Sequence, residues 1–533
     1  MRSNQGRIPW IYSLTLFCVF PWALDKSTLP KLFALVLITS ILIIRNYSRV
    51  NSEKFMYCLI FWSVTVGVYL LFYGIGSANS ILLGYTQRRN GMMSILLLIL
   101  VLLYFRSLDN IYRLKTLSSS ALLISFSIWI SKFLPQVNIL FSQYSYPLPD
   151  AINRNIVSLY LCLGLISSLS LLIQESRKGI VLIFQTLSTL SIGATAISLG
   201  DFQTFLYLGI LFLVIILFIF NLHLKLLFFF FHSFVFIVPL FVLYLATGKM
   251  GLDRPSFRER QLLIELGFTT IKEKPFNFLR PDSTADTSVS KAYEAYSGEL
   301  LDNLHNVWLE VALHLGWVFA LFGISMLICV LSITFHGVVL SYKSQPSSSL
   351  RIALKVSMLI ICFLSLFISI LHPITIFGLA IMSSTLIEDF FAGLTVFKEK
   401  TLIGTYLVKA PKLFRFKKIA DVRLRTARYI KSISISFLLA PCVFLIYNVG
   451  LQVQFHILES QMYRHESFSP DEIISLTNLS IQMNDREYLD YVGRQLTSVG
   501  NCTQLKKVID QQIRIGFADG RLRKLESWYK LEC

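Results

Sequence analysis

Charge is scarce in this sequence, and acidic charge is the scarcer sign. Only 15% of the 533 residues are charged against 54% hydrophobic, and mean hydropathy is +0.63. A soluble domain cannot hide that much apolar surface, so the composition points to a polytopic membrane protein. With 31 acidic and 49 basic residues the net charge is +18. No basic stretch is interleaved with aromatics, which argues against nucleic acid as a partner. Cytoplasmic loops of membrane proteins carry such an excess. Cysteine and histidine lack metal-ligand spacing, so no metal or cofactor is expected. The basic residues 1–7 and the apolar run after them lack a small-x-small cleavage site, which predicts an uncleaved first membrane helix.

What is abundant is apolar runs near the roughly 20 residues that span a bilayer. They cover 8–24, 30–45, 54–75, 91–105, 116–134, 153–173, 179–197, 202–220, 225–247, 306–335, 352–371, 373–397 and 432–451. The expected fold is an all-α polytopic membrane protein of about 12–13 transmembrane helices. With the N-terminus inside, the inner loops collect Arg45, Arg49, Arg106, Arg113, Lys115, Arg177, Lys178, Lys343, Arg351 and the basic segment 398–431. An odd span count then leaves the tail outside. The expected organisation is membrane helices over 1–247, an outer loop over 248–304, membrane helices over 305–454 and a polar module over 455–533.

Three outer loops break the trend by holding arginine: Arg88 and Arg89, Arg154 in Asn153-Arg154-Asn155, and the loop 248–304. A bound anion explains them, as does a solvated charge or an arginine snorkelling to lipid phosphate; membrane lipids are partners by class. Arg154 and Asn155 open an apolar helix, where a helix N-terminus also suits phosphate. In the long loop Phe257, Arg260, Ile264, Phe268 and Ile271 recur at helical spacing, predicting an amphipathic helix with Arg260 on or beside its apolar stripe. Arg258 points elsewhere and is the weaker candidate.

The tail differs in material. Ser469-Pro470-Asp471-Glu472 reads as a capping box with proline at the first helical position. Helices over about 485–497, 503–516 and 518–530 follow, with Gly500 and Gly520 at the breaks, as two helical hairpins. Cys18, Cys58, Cys162, Cys329, Cys362 and Cys442 sit in apolar runs, whereas Cys502 and Cys533 can pair if the tail lies in an oxidising compartment.

The stretch from Asp302 to Gly316 carries the chemistry. Asp302 or Asn303 is the expected N-cap, with His305 and Asn306 in the first turn and His305, Leu309, Ala312 and Gly316 on one face. The positive helix end favours an anion and keeps His305 neutral, able to take a proton from a hydroxyl. Standing alone, such a histidine is an interfacial capping residue; here it shares a side with the arginines. His372 beside Pro373 reads as a loop residue. Glu388 and Asp389, near Lys398 and Lys400, read as a structural salt bridge, and Asp201 and Gln203 as caps or cavity residues.

His305-Asn306-x-x-Leu309 followed by Gly316 resembles the motif of the bacterial O-antigen ligase superfamily, which includes O-antigen ligases, O-antigen polymerases and protein O-oligosaccharyltransferases. Arg260 ahead of Pro275, and Asn153-Arg154-Asn155 at a helix start, agree with the family pattern; Ile264 stands where an aromatic is expected. The resemblance covers about 150–397. It implies a GT-C-like fold and a metal-independent, inverting glycosyltransferase working on the periplasmic face of the inner membrane. The donor it implies is an undecaprenyl-pyrophosphate-linked glycan; the acceptor is lipid A core, a growing glycan or a protein. By the same resemblance Arg154, Arg260 and, secondarily, Arg88 and Arg89 hold the pyrophosphate, and Asn155 and Arg258 belong to the substrate-binding set. His305 activates the acceptor and Asn306 positions His305 or a sugar. A lipid-linked glycan transporter is the rival from another class; it predicts repeated helices with charges at the bilayer midplane, and no such repeat is visible.

Overall fold

The computed structural model describes residues 8–16, 28–46, 50, 52–73, 78–83, 91–133, 154–174, 179–200, 202–219, 231–233, 235, 237–238, 261–265, 267–269, 272, 306–344, 349–368, 372–400, 422–464, 469–514 and 520–533. Among them every long element is an α-helix, the form that satisfies its own backbone in an apolar medium. The first half supplies α1 (Ile8–Thr15), α2 (Thr28–Arg45), α3 (Ser52–Tyr73), α4 (Ala78–Leu83), α5 (Met92–Arg106), α6 (Asn110–Phe133), α7 (Arg154–Gln174), α8 (Ile180–Ser198) and α9 (Phe202–Ile219). The second half supplies α10 (Val307–Leu315), α11 (Trp317–Ser344), α12 (Ser349–Ile368), α13 (Pro373–Lys400) and α14 (Val422–Arg464). The tail folds as α15 (Pro470–Met483), α16 (Arg486–Val499), α17 (Cys502–Arg514) and α18 (Gly520–Glu532).

Six of the described helices are long and apolar enough to cross a membrane, and three shorter apolar ones accompany them. The expected all-α, multi-span architecture therefore holds. Burial sorts the spans. Of Ile156–Gln174 in α7, 83% is buried, against 28% of Ile180–Ser198 in α8 and 22% of Trp317–Leu340 in α11. α7 is the central post, contacting α6, α8, α9, α12 and α13. α8 and α11 turn Ile183, Phe184, Phe319 and Phe322 outward, as lipid-facing helices must.

α11 and α13 approach closely and cross where Gly337 meets Gly393. A Cβ at Gly337 would run into the carbonyl of Asp389, and one at Gly393 into that of Ile333. Small residues at such a crossing let two backbones touch, the main source of packing energy between helices in lipid.

Beyond that crossing, a buried carboxylate, Asp389, ties α13 to α12, and the exposed Glu388 makes a looser contact. Lys355 of α12 places Nζ 2.8 Å from both carboxylate oxygens of Asp389. Arg113 of α6 approaches Glu388 at 3.7 Å. The expected salt bridge is thus present, with Lys355 and Arg113 as partners, because neighbouring helices bring them level with the acids. Arg113, expected as a loop charge, is instead 2% exposed. Its guanidinium donates to the carbonyls of Phe105, Arg106 and Leu108 at the end of α5 and to that of Ser384. Arg106 is the last residue of α5 and Leu108 lies just past it, where carbonyls lose their partners within the helix, and a fixed cation is a strong donor for them.

The tail module grows out of α14, a single 43-residue helix with Pro441 inside it. Leu451 and Phe455 of α14 join Leu476, Leu489, Leu505 and Leu522 in a second core. Each tail helix packs on the next and on the one after, the stacking of a short helical repeat. The expected capping box is formed at Ser469 and Glu472, with Pro470 leading α15, and Gly500 ends α16 in the left-handed conformation. Gly520, expected at a break, instead begins α18. Cys502 and Cys533 form a disulfide with their Cα atoms 5.7 Å apart, tying the end of the chain to the start of α17. The module rests on the membrane part through Gln482, which donates to the Tyr447 hydroxyl, and through Asn79 of α4, which donates to the Met483 carbonyl.

Gly337→Ala is expected to cost about 1–3 kcal/mol of stability by overpacking the crossing. Gly209→Ala, facing open space, provides the neutral control. Thermal denaturation of the purified proteins in detergent compares the two. Cys533→Ser opens a loop of sequence separation 31 and is expected to cost about 3–4 kcal/mol. Faster hydrogen exchange across 520–533 in the full chain measures it.

Candidate functional site

α10 is built from its first residue. Asn306 has extended backbone, with φ −148° and ψ 113°, and its Oδ1 accepts from the amides of Trp308 at 2.9 Å and Leu309 at 3.1 Å. A short side-chain acceptor there satisfies amides that the helix itself cannot. This corrects the sequence expectation: Asn306, not Asp302 or Asn303, caps the helix, and His305 precedes the cap instead of occupying the first turn.

The far end of α10 brings a second correction. The run 306–335 was expected as one span, but α10 stops after nine residues at Gly316, with φ 90° and ψ 157°. Only glycine adopts that backbone readily. Leu309 and Ala312 are buried, while Gly316, expected on their face, instead makes the turn into α11.

Trp308 pins this short helix. Its ring lies 6.2 Å from that of Phe367 in the last turn of α12, and a Cβ at Gly323 of α11 would come within 2.8 Å of it. α10 therefore hangs on a glycine turn and is wedged by one indole between two spans.

The neighbouring helix ends collect here. α12 finishes at Ile368, next to Phe367, and α13 starts at Pro373. His372, 3% exposed, caps α13: its Nδ1 accepts from the amide of Ile374 at 3.2 Å, and its own amide donates to Thr375 Oγ1 at 3.0 Å. The expectation of a structural histidine becomes a specific cap. Tyr160, in the second turn of α7, lies against Gly378, in the second turn of α13, so both helices begin at the same end. Ser168 pairs with Thr189 and Gln185, which sets α8 antiparallel to α7 and brings the start of α9 to that end as well. Gln203, in the first turn of α9, donates to Tyr207 within that helix. The N-termini of α7, α9, α10 and α13 thus share one end of the bundle, where their dipoles favour negative charge.

Of the sequence-selected residues, Arg154 and Asn155 are the first two of α7, and Asn306 is the cap of α10. The structure brings these helix starts to one end. His305, Arg88, Arg89, Arg258 and Arg260 lie outside the described residues. Of the loop helix expected around Arg260, residues 261–265 and 267–269 are helical, with Leu263 and Ile264 buried. Sequence reasoning missed Trp308 and Gly323. Their partnership depends on the break at Gly316, which an unbroken apolar run conceals.

Gly316→Ala is expected to strain the turn by about 1–3 kcal/mol. A lowered melting temperature in detergent, with unchanged membrane insertion, is the expected result. Comparison of the chain with family models, with curated proteins and with solved structures returns no match.

Proposed function

We propose that the protein is a membrane glycosyltransferase of the O-antigen ligase type. It moves a glycan from undecaprenyl pyrophosphate to an acceptor hydroxyl at the periplasmic face of the bacterial inner membrane, with lipid A core as the acceptor. A growing glycan and a protein hydroxyl are the alternative acceptors. The observation that supports the reading is the cap at Asn306: it opens α10 on the end of the bundle where α7 opens with Arg154. That arrangement suits the chemistry. The acceptor oxygen attacks the anomeric carbon, the carbon–oxygen bond to the pyrophosphate breaks, and the leaving group departs with the electron pair. His305 takes the acceptor proton. Arg154 and Arg260 balance the charge that develops on the leaving pyrophosphate, and a direct displacement inverts the anomeric carbon.

His305→Ala is expected to abolish transfer in a protein that still inserts; normal surface glycan in cells carrying only this variant would remove His305 from catalysis. Arg260→Lys should lower transfer at least about tenfold, since lysine keeps the charge but loses the bidentate fork. A deletion strain assayed for glycan-bearing lipid A, glycan chain length and glycosylated proteins identifies the acceptor by the product that disappears.

A further inference from the structure

The first turn of α10 holds two hydrogen-bond donors that the protein leaves unused. Asn306 is 2% exposed, and its Nδ2 is buried with no hydrogen-bond partner. The indole Nε1 of Trp308 is likewise buried and unpartnered. Neither can be relieved by turning the group over. Asn306 must keep Oδ1 toward the amides of Trp308 and Leu309 to cap the helix, so Nδ2 is its only other polar atom. The indole is a donor and nothing else. Its ring is fixed between Phe367 and Gly323, so it has no room to seek another partner. Leaving buried donors unmade is costly, and a folded protein tolerates it where a ligand completes the bond.

The chemistry of the missing partner follows from what these groups lack. Both donate and neither accepts, and both leave the positive end of a helix. A sugar hydroxyl both donates and accepts, so it would be half satisfied here. A phosphoryl oxygen accepts only and carries negative charge, so it matches both donors and the dipole.

We infer that Asn306 Nδ2 and Trp308 Nε1 form a two-donor cradle for phosphoryl oxygens of the polyprenyl pyrophosphate donor. The inference rests on the glycosyl-transfer reading and adds an uncharged phosphate-binding element to the arginines. Trp308, absent from the sequence-level candidates, becomes a substrate-contacting residue.

The test uses the full-length protein in lipid nanodiscs and a fluorescent short-chain polyprenyl pyrophosphate as probe. Two variants separate the donor role from structure. Trp308→Phe keeps the wedge and deletes only the N–H. Asn306→Asp keeps an oxygen for the cap and replaces the donor with an anion. The expected result is a loss of probe affinity of about tenfold for Trp308→Phe and a larger loss for Asn306→Asp. Melting temperatures of the empty proteins should not fall, because the deleted groups make no bond in the empty state. Inorganic pyrophosphate should compete and the uncharged polyprenyl alcohol should not. Wild-type affinity in either variant, or competition by the alcohol equal to that of pyrophosphate, overturns the cradle. So does a fall in the melting temperature of the empty variants that parallels the lost affinity. If the wild-type protein binds no probe, the glycosyl-transfer reading falls as well; if it binds and the variants bind equally, the cradle alone falls.

Discussion

Inside an apolar medium a backbone amide or carbonyl without a partner costs several kcal/mol, and this penalty organises the whole molecule. A helix meets it everywhere except at its ends. The ends are therefore where this chain places its polar side chains. Asn306 and His372 take the free amides at the starts of α10 and α13. Arg113 donates to the carbonyls of Arg106 and Leu108 at the end of α5. A break in a span is expensive, and the break that creates α10 is also the place where the chemistry is proposed.

The two ends of the bundle have opposite characters. Toward one end, positive and negative side chains neutralise each other within the protein, Lys355 with Asp389 and Arg113 with Glu388. The Lys355–Asp389 pair and the bond from Arg113 to the Ser384 carbonyl fasten α13 to its neighbours. Toward the other end four helices begin together, and their aligned amides sum to a positive field. The first end is closed chemistry. The second needs a negative partner, and in the proposed function that partner is the donor lipid.

Much of the architecture was legible in the amino-acid sequence, for reasons that also mark its limits. Hydropathy located the six long apolar helices among the described residues because crossing a bilayer requires a long apolar run. The capping box at Ser469 and the glycine at Gly500 located tail helices because those signals are local. The break at Gly316 was invisible because both sides of it are apolar and a glycine within a span usually marks packing. The cap of α10 was misassigned because three short polar residues, Asp302, Asn303 and Asn306, precede the same run. Partners on other helices, such as Lys355 for Asp389 and Gly323 for Trp308, were beyond any local rule.

The unbroken course of α14 from span to tail gives the molecule a mechanical property. A helix of 43 residues is a rod about 65 Å long, and its far part is built into the tail core through Leu451 and Phe455. The disulfide between Cys502 and Cys533 closes the module on itself. The tail is thus joined to the last span by continuous helix, a stiff stem where a loop would have been a tether.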